Sequence, residues 1–191
     1  PSAKDDCQVH PTLGPPSAHR YRRCPGSVAL EATLPNEAGM EAAQGTVFHH
    51  FAAICLETGL DPDVFLGHKL TVDDHGVLEM TAEMVNKMQS GLDYARALME
   101  PGDIVVVEKK VDLTPWLGPD QFGTMDLGII SIKRWKAIVF DWKWGAGIPV
   151  SPIENDQGIL YGLGLWNDYL CDLIEATMWA QGVEPGDADS F

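Results

Sequence analysis

Two spacings of apolar residues divide the chain. Between 36 and 58, most strongly from Met40, the positions Val47, Phe48, Phe51, Ile54, Cys55 and Leu56 recur with helical period, and Gly59 follows as a stop. A second helix is predicted over 81–100, with Met84, Val85, Met88, Leu92, Ala95 and Leu98 as its apolar face and Pro101-Gly102 ending it. Alternation with a period of two then predicts strands over 103–113, 123–132 and 137–145. Shorter signals complete the outline. Ser17 caps a helix over 18–23, Cys24-Pro25-Gly26-Ser27 breaks it, and 28–33 forms a further helical turn. Residues 60–75 read as loop with short extended pieces, and 115–121 as loop. Ser151-Pro152-Ile153-Glu154 has the pattern of a capping box with Pro at N1, which predicts a helix running to about Leu173 and a last strand over 174–181.

The strands over 123–132 and 137–145 flank a short polar turn and predict an antiparallel hairpin. A two-residue or a four-residue loop centred on Arg134 and Trp135 gives one register. Gly128 then faces Asp141, and Asp126 faces Lys143. Strand side chains alternate, so Asp126, Asp141 and Lys143 share one face, and Gly128 leaves that face open. A bulge would break this register. An acid and a lysine on a buried strand are costly unless paired or bound to metal. One reading is a structural ion pair at a strand end. The other is a hard-cation site, for which two carboxylates with room beside them are the expected composition.

The helix over 36–58 adds His49, four residues after Gly45 and so on the same face. Gly45 weakens the helix by about 1 kcal/mol relative to Ala. Clearing space beside His49 is one use for it, while a core histidine satisfied by its neighbours is the plainer reading. Gln157 and Tyr161 likewise share a face of the predicted helix after 151.

Composition narrows the partners. The chain has 191 residues and a net charge of −15, against coating nucleic acid through bulk charge. Arg20, Arg22, Arg23, Lys109, Lys110, Lys133, Arg134, Lys136 and Lys143 nevertheless fall in four short clusters, which leaves a local basic path open. Cys7, Cys24, Cys55 and Cys171 lie far apart without a C-x-x-C spacing. They predict free thiols, and no iron–sulfur cluster is expected. No apolar run approaches membrane-spanning length and no secretory signal is visible, so no membrane partner is expected. The organisation expected is an irregular N-terminal segment over 1–16, a single domain over 17–181 and an acidic tail over 182–191.

Four pieces stand in order: Gly45-Thr46-Val47-Phe48-His49, Gly123-Thr124-Met125-Asp126, Asp141-Trp142-Lys143, and Gln157 with Tyr161. Together they resemble the RecB-like branch of the PD-(D/E)XK nuclease superfamily, which carries G-x-x-x-H, G-x-x-D, (D/E)-x-K and Q-x-x-x-Y on successive elements. The stretch from Ser17 to Pro25 resembles that branch's N-terminal helix, and the wording is closest to a phage and prophage group of unassigned role. The resemblance implies an α/β (α+β) fold, with a central mixed β-sheet flanked by helices around a restriction-endonuclease-like core. It implies that Asp126, Asp141, the carbonyl of Trp142 and His49 hold Mg²⁺ or Mn²⁺. By the same resemblance Lys143 orients the attacking water, Gln157 and Tyr161 contact the nucleic-acid backbone or brace the site, and Glu108 is an acid just behind the metal ligands. Arg20, Arg22, Arg23, Lys109 and Lys110 are expected on the path of the nucleic acid. The implied activity is metal-dependent hydrolysis of DNA from linear ends, as a phage-type exonuclease in the cytoplasm of a bacterial host. A phage single-strand annealing protein and further copies of the chain are the implied partners. The alternatives are a non-catalytic nucleic-acid-binding relative and a metal-binding hydrolase with another substrate. Cys24 and Cys171 do not make the cysteine set with which some members hold an iron–sulfur cluster.

Overall fold

The elements of the computed structural model, which describes residues 11–34, 39–73, 75–145 and 150–180, follow the predicted outline with four departures. In chain order they are a 3-10 turn at Pro15–Ser17, α1 (Ala18–Arg23), α2 (Gly26–Glu31), α3 (Met40–Thr58) and a 3-10 turn at Pro62–Phe65. Then come β1 (Lys69–Val72), β2 (Gly76–Glu79), α4 (Ala82–Leu98), β3 (Ile104–Asp112), the single turn α5 (Thr114–Leu117), β4 (Phe122–Ser131) and β5 (Lys136–Phe140). The described chain ends with α6 (Asp156–Leu165), a π-helical stretch at Trp166–Leu170 and α7 (Cys171–Ala180). The class is α+β. β1 and β2 form an antiparallel ribbon, and a second sheet has the order β3-β4-β5 with β4 and β5 antiparallel. The described residues of 35–109 and 124–153 form one compact unit, and those of 1–34, 110–123 and 154–191 form another. Residues 1–10 with Cys7, and the acidic tail, lie outside the described residues.

The first unit is built on α3 and α4. Val47, Phe48, Phe51, Ala52 and Cys55 from α3 pack with Met84, Met88, Leu92 and Ala95 from α4, and the sheet adds Val107, Leu127 and Ile129. Burying each large side chain contributes about 1.5–3 kcal/mol, and this layer fixes the two helices on the sheet. The helix ends obey their sequence signals. Gly59 adopts φ 74° and its N–H donates to the Cys55 carbonyl at 2.9 Å. Thr81 caps α4 by accepting from the Met84 N–H at 3.2 Å. Arg96 ties α4 to the end of α3, donating to the Leu60 carbonyl and pairing with Asp61, both at 2.6 Å. The loop predicted over 60–75 contributes β1, and its extended pieces prove to be half of the ribbon with β2.

The first departure is the hairpin register. The pairs are Leu127 with Phe140, Gly128 with Val139, Ile130 with Ala137 and Ser131 with Lys136. This is two residues away from the predicted pairing, so every side chain keeps its face while its partner changes. Gly128 does not face Asp141. β5 ends at Phe140 rather than at 145, so the pairing stops at Leu127 with Phe140 and Asp126 has no strand partner in Lys143. The cause lies in the turn. Arg134 Nε donates to Ser131 Oγ at 3.0 Å, and its guanidinium donates to the Leu98 carbonyl at 3.1 Å and pairs with Glu100 at 3.0 Å and with Asp103. That anchorage at the end of α4 draws Arg134 towards Ser131. The chain closes through the Trp135 N–H to the Ile132 carbonyl at 3.2 Å, with Trp135 at φ 49°. A bulky residue in the left-handed region costs about 1–2 kcal/mol, which the guanidinium contacts offset.

The other three departures surround the second unit. Ser151 does not cap a helix. Its Oγ accepts from the Ile153 N–H at 3.1 Å in a local turn, Glu154 takes φ 54°, and Asn155 caps α6 through the Gly158 N–H at 2.8 Å. Residues 174–180 are helical rather than a strand, part of α7, which is reached through a π turn in which the Cys171 N–H donates to the Trp166 carbonyl. Ala176 and Ala180 favour the helix, and Thr177 spends its hydroxyl on the Leu173 carbonyl at 2.7 Å. Gln181, the last residue of the predicted strand, lies outside the described residues. The loop predicted over 115–121 begins with α5. Two glycines allow close packing in this unit. A Cβ on Gly164 would lie 2.5 Å from Val111 Cγ2, and one on Gly123 would lie 2.6 Å from Pro15 Cγ and 2.8 Å from the Tyr161 ring. No helix among the described residues is long and apolar enough to cross a membrane.

Candidate metal centre

Three elements of the first unit bring His49, Glu108 and Asp126 together, with one ligand atom of each within 4.8 Å of the others. His49 comes from the middle of α3, where Val47, Phe48 and Phe51 fix the helix rotation by burial. Its Nδ1 lies 3.2 Å from Asp126 Oδ1 and 3.7 Å from Glu108 Oε1, the second beyond hydrogen-bond reach. Burial works against a charged imidazole there, but the Asp126 and Glu108 carboxylates outweigh it and hold the His49 pKa at about 10.

Asp126 is 7% exposed on the central strand β4. Its Oδ2 accepts from the Trp142 N–H at 2.7 Å, which leaves Oδ1 aimed at His49. Trp142 is itself locked. Its ring stands 4.6 Å from that of Phe140 and 6.2 Å from that of Phe48, and it fills the place a Cβ on Gly91 would take, 2.6 Å from Cζ3. A buried indole on one side of the backbone thus orients a carboxylate on the other. The neighbouring Trp144 donates its Nε1–H to Gln44 at 3.1 Å and packs beside Gly45.

Glu108 arrives by a different device. Val106 and Val107 are both buried, and then Lys109 and Lys110 are both exposed, so the alternation of β3 breaks at the residue between. Glu108 takes φ 44° at that break. Such kinks re-aim single side chains and cluster at functional sites. Among the described residues no hydrogen-bond partner meets its buried Oε1. A carboxylate oxygen without a hydrogen bond, beside a second carboxylate and an imidazole, is a donor set with a lone pair left over.

Asp141 and Lys143 lie beyond the end of β5 rather than on the strand predicted over 137–145, and they pair with Oδ2 and Nζ 2.6 Å apart. Burial pushes the Asp141 carboxyl above its ordinary value, and the Asp126 charge adds to this against the opposing pull of Lys143 and His49. The Lys143 side chain is 55% exposed, so its ammonium reaches solvent at the edge of the acidic group.

The remaining predicted residues fall as follows. Gln157 and Tyr161 lie one turn apart on α6 in the second unit. Tyr161 is buried against Gly123 within that unit rather than meeting solvent. Arg20 pairs with Glu31 at 3.0 Å and Arg22 pairs with Asp156. Lys110 stands 3.4 Å over the Phe122 ring, while Arg23 and Lys109 are exposed. Gly45 does not clear room for His49. A Cβ there would meet Trp144 Cβ at an ordinary 3.8 Å. The resemblance placed Glu108 behind the ligands, and the kink went unread. The change from the Val105-Val106-Val107 run to Lys109-Lys110 was the available signal.

Residues 10–178 match the family model described as a protein of unknown function, DUF2800. No solved structure matches the chain.

Proposed function

The chain belongs to the DUF2800 family, and we propose that it is a nuclease that hydrolyses DNA with Mg²⁺ or Mn²⁺ on a RecB-like PD-(D/E)XK core. The observation that carries the reading is the meeting of His49, Glu108 and Asp126, with the Asp141–Lys143 pair just past the end of β5. The donors fit the group. Two carboxylates and one imidazole nitrogen suit Mg²⁺ or Mn²⁺, and the orphaned Glu108 Oε1 offers a lone pair that no protein donor among the described residues uses.

His49, Glu108 and Asp126 would hold the cation, with Asp141 as the further acid of the site. When bound, it supplies water activation and neutralises charge developing on the phosphate. The protein's own part is positional and electrostatic. The Trp142 N–H fixes the Asp126 carboxylate, so one oxygen stays presented without reorganisation. Lys143, held by Asp141 yet open to solvent, presents an ammonium to a phosphate oxygen and to the attacking water.

A non-catalytic nucleic-acid-binding relative is the second reading, favoured by the engagement of Arg20 and Arg22 with internal acids. Digestion of end-labelled linear and closed circular DNA with Mg²⁺, Mn²⁺ and EDTA separates the two. Metal-dependent release of label from linear DNA, absent in Asp126→Ala, is expected. Binding without cleavage in either metal would replace the first reading with the second.

A further inference from the structure

The turn between β4 and β5 presents an aromatic ring that the fold does not use. Trp135 is 65% exposed, and among the described residues no ring or cation packs on it. Its neighbours Lys133 and Lys136 are both exposed, in a chain of net charge −15. The backbone holds it at φ 49°, a conformation in which Gly or Asn is usual. The turn beneath does not yield, because Arg134 is bound to Ser131, Leu98, Glu100 and Asp103. The backbone of Trp135 serves the anchored turn, but its exposed ring stands between two exposed lysines and packs on no ring or cation among the described residues.

We infer that this tip is a contact for single-stranded nucleic acid, in which Trp135 stacks on a base and Lys133 and Lys136 meet the flanking phosphates. The chemistry is that of single-strand platforms, an aromatic face beside positive charge. The inference rests on the nucleic-acid reading of the metal centre and extends it. Six residues separate Trp135 from Asp141, roughly 20 Å along a strand. A single strand lying along the hairpin therefore touches the tip a few nucleotides from the bond cut at the carboxylates. Arg134 belongs to the scaffold of the tip and leaves the ligand to its neighbours.

The test is binding of a short fluorescein-labelled oligothymidylate in EDTA, read by anisotropy, for wild type, Trp135→Phe, Trp135→Gly and the double variant Lys133→Ala/Lys136→Ala. Thermal unfolding of each protein and a parallel cleavage assay in Mn²⁺ accompany it. Trp135→Gly is expected to weaken binding by at least about five-fold, with Trp135→Phe in between. Because glycine relieves the left-handed strain, the same variant should melt at a higher temperature, which a merely structural tryptophan would not give. The double lysine variant should lower the salt slope of binding by about 0.7 per lysine. Undiminished binding by Trp135→Gly overturns the inference and leaves the nuclease reading standing. Failure of the wild type to bind the oligonucleotide overturns it as well. Trp135-dependent binding by a protein that cleaves nothing in Mn²⁺ supports the tip contact and defeats the nuclease reading instead.

Discussion

The two ends of the β4–β5 hairpin handle buried charge in opposite ways. At the turn, Asp103 receives the Glu100 N–H at 2.9 Å, the Ser131 hydroxyl and the Arg134 guanidinium, and its carboxyl is held below the ordinary range, by Ser131 first. At the other end Asp141 is pushed above that range by burial and by Asp126, and Glu108 Oε1 has no hydrogen bond among the described residues. One end is a finished ion cluster that fastens the hairpin to α4. The other holds one carboxyl that burial raises and one carboxylate oxygen without a hydrogen bond among the described residues. Saturated charge marks structure, and unsatisfied charge marks a place kept for a ligand.

The sharpest way to break this contrast is to remove an acid from the unfinished end. Asp126→Ala should abolish both cleavage and stabilisation by Mn²⁺, which in wild type should reach about 2.7 kcal/mol at a hundred times the dissociation constant. Lys143→Ala should keep the Mn²⁺ effect and still stop turnover, since an ammonium is no ligand. Thermal unfolding with and without Mn²⁺, beside the cleavage assay, reads both. Equal metal stabilisation in wild type and Asp126→Ala would move the cation elsewhere and undo the comparison.

At the finished end, Arg134→Ala should lower the melting temperature by several degrees at neutral pH with or without metal, because it leaves Asp103 short of its cation. The pH dependence follows from the sign. The folded pKa of Asp103 is depressed, so its contribution is present above the unfolded value of about 3.9 and is lost as pH falls through the folded one. Ser131→Ala should therefore melt lower at neutral pH and lose less on acidification than wild type. A parallel loss in both proteins from neutral pH to pH 3 would assign the acid limb to other groups.

The smallest effects concern two glycines of the same unit. Gly91→Ala forces a methyl group to 2.6 Å from the Trp142 ring and should cost about 1–3 kcal/mol, weakening Mn²⁺ binding through the Trp142 N–H. Gly45→Ala meets only an ordinary contact and should stabilise α3 by about 1 kcal/mol while the metal response stays unchanged. Urea unfolding of both variants checks the opposite signs, and a destabilised Gly45→Ala would restore the spacing role first considered for that glycine.

Local chemistry made much of this legible from residue order. The apolar periods placed α3 and α4, Gly59 marked the end of α3 and Pro101-Gly102 the region where α4 stops, and the alternation gave the hairpin. These features depend on neighbours within a few positions, and the spacing of the chain carries them directly. The register depended on Arg134 finding Leu98, Glu100 and Asp103, partners more than thirty positions away, and a shift of two residues leaves the alternation unchanged. The kink that turns Glu108 toward His49 likewise left only a faint break in pattern. The cap at Asn155 was lost to Ser151 because both fit a cap chemically and only the turn at Glu154 chooses between them. Sequence by itself determined the acids, the histidine and the lysine that the candidate site draws on, and it placed His49 on its helix and Asp126 on its strand. Tertiary structure decided which of them meet, because meeting depends on contacts between segments remote in the chain, and residue spacing records none of them.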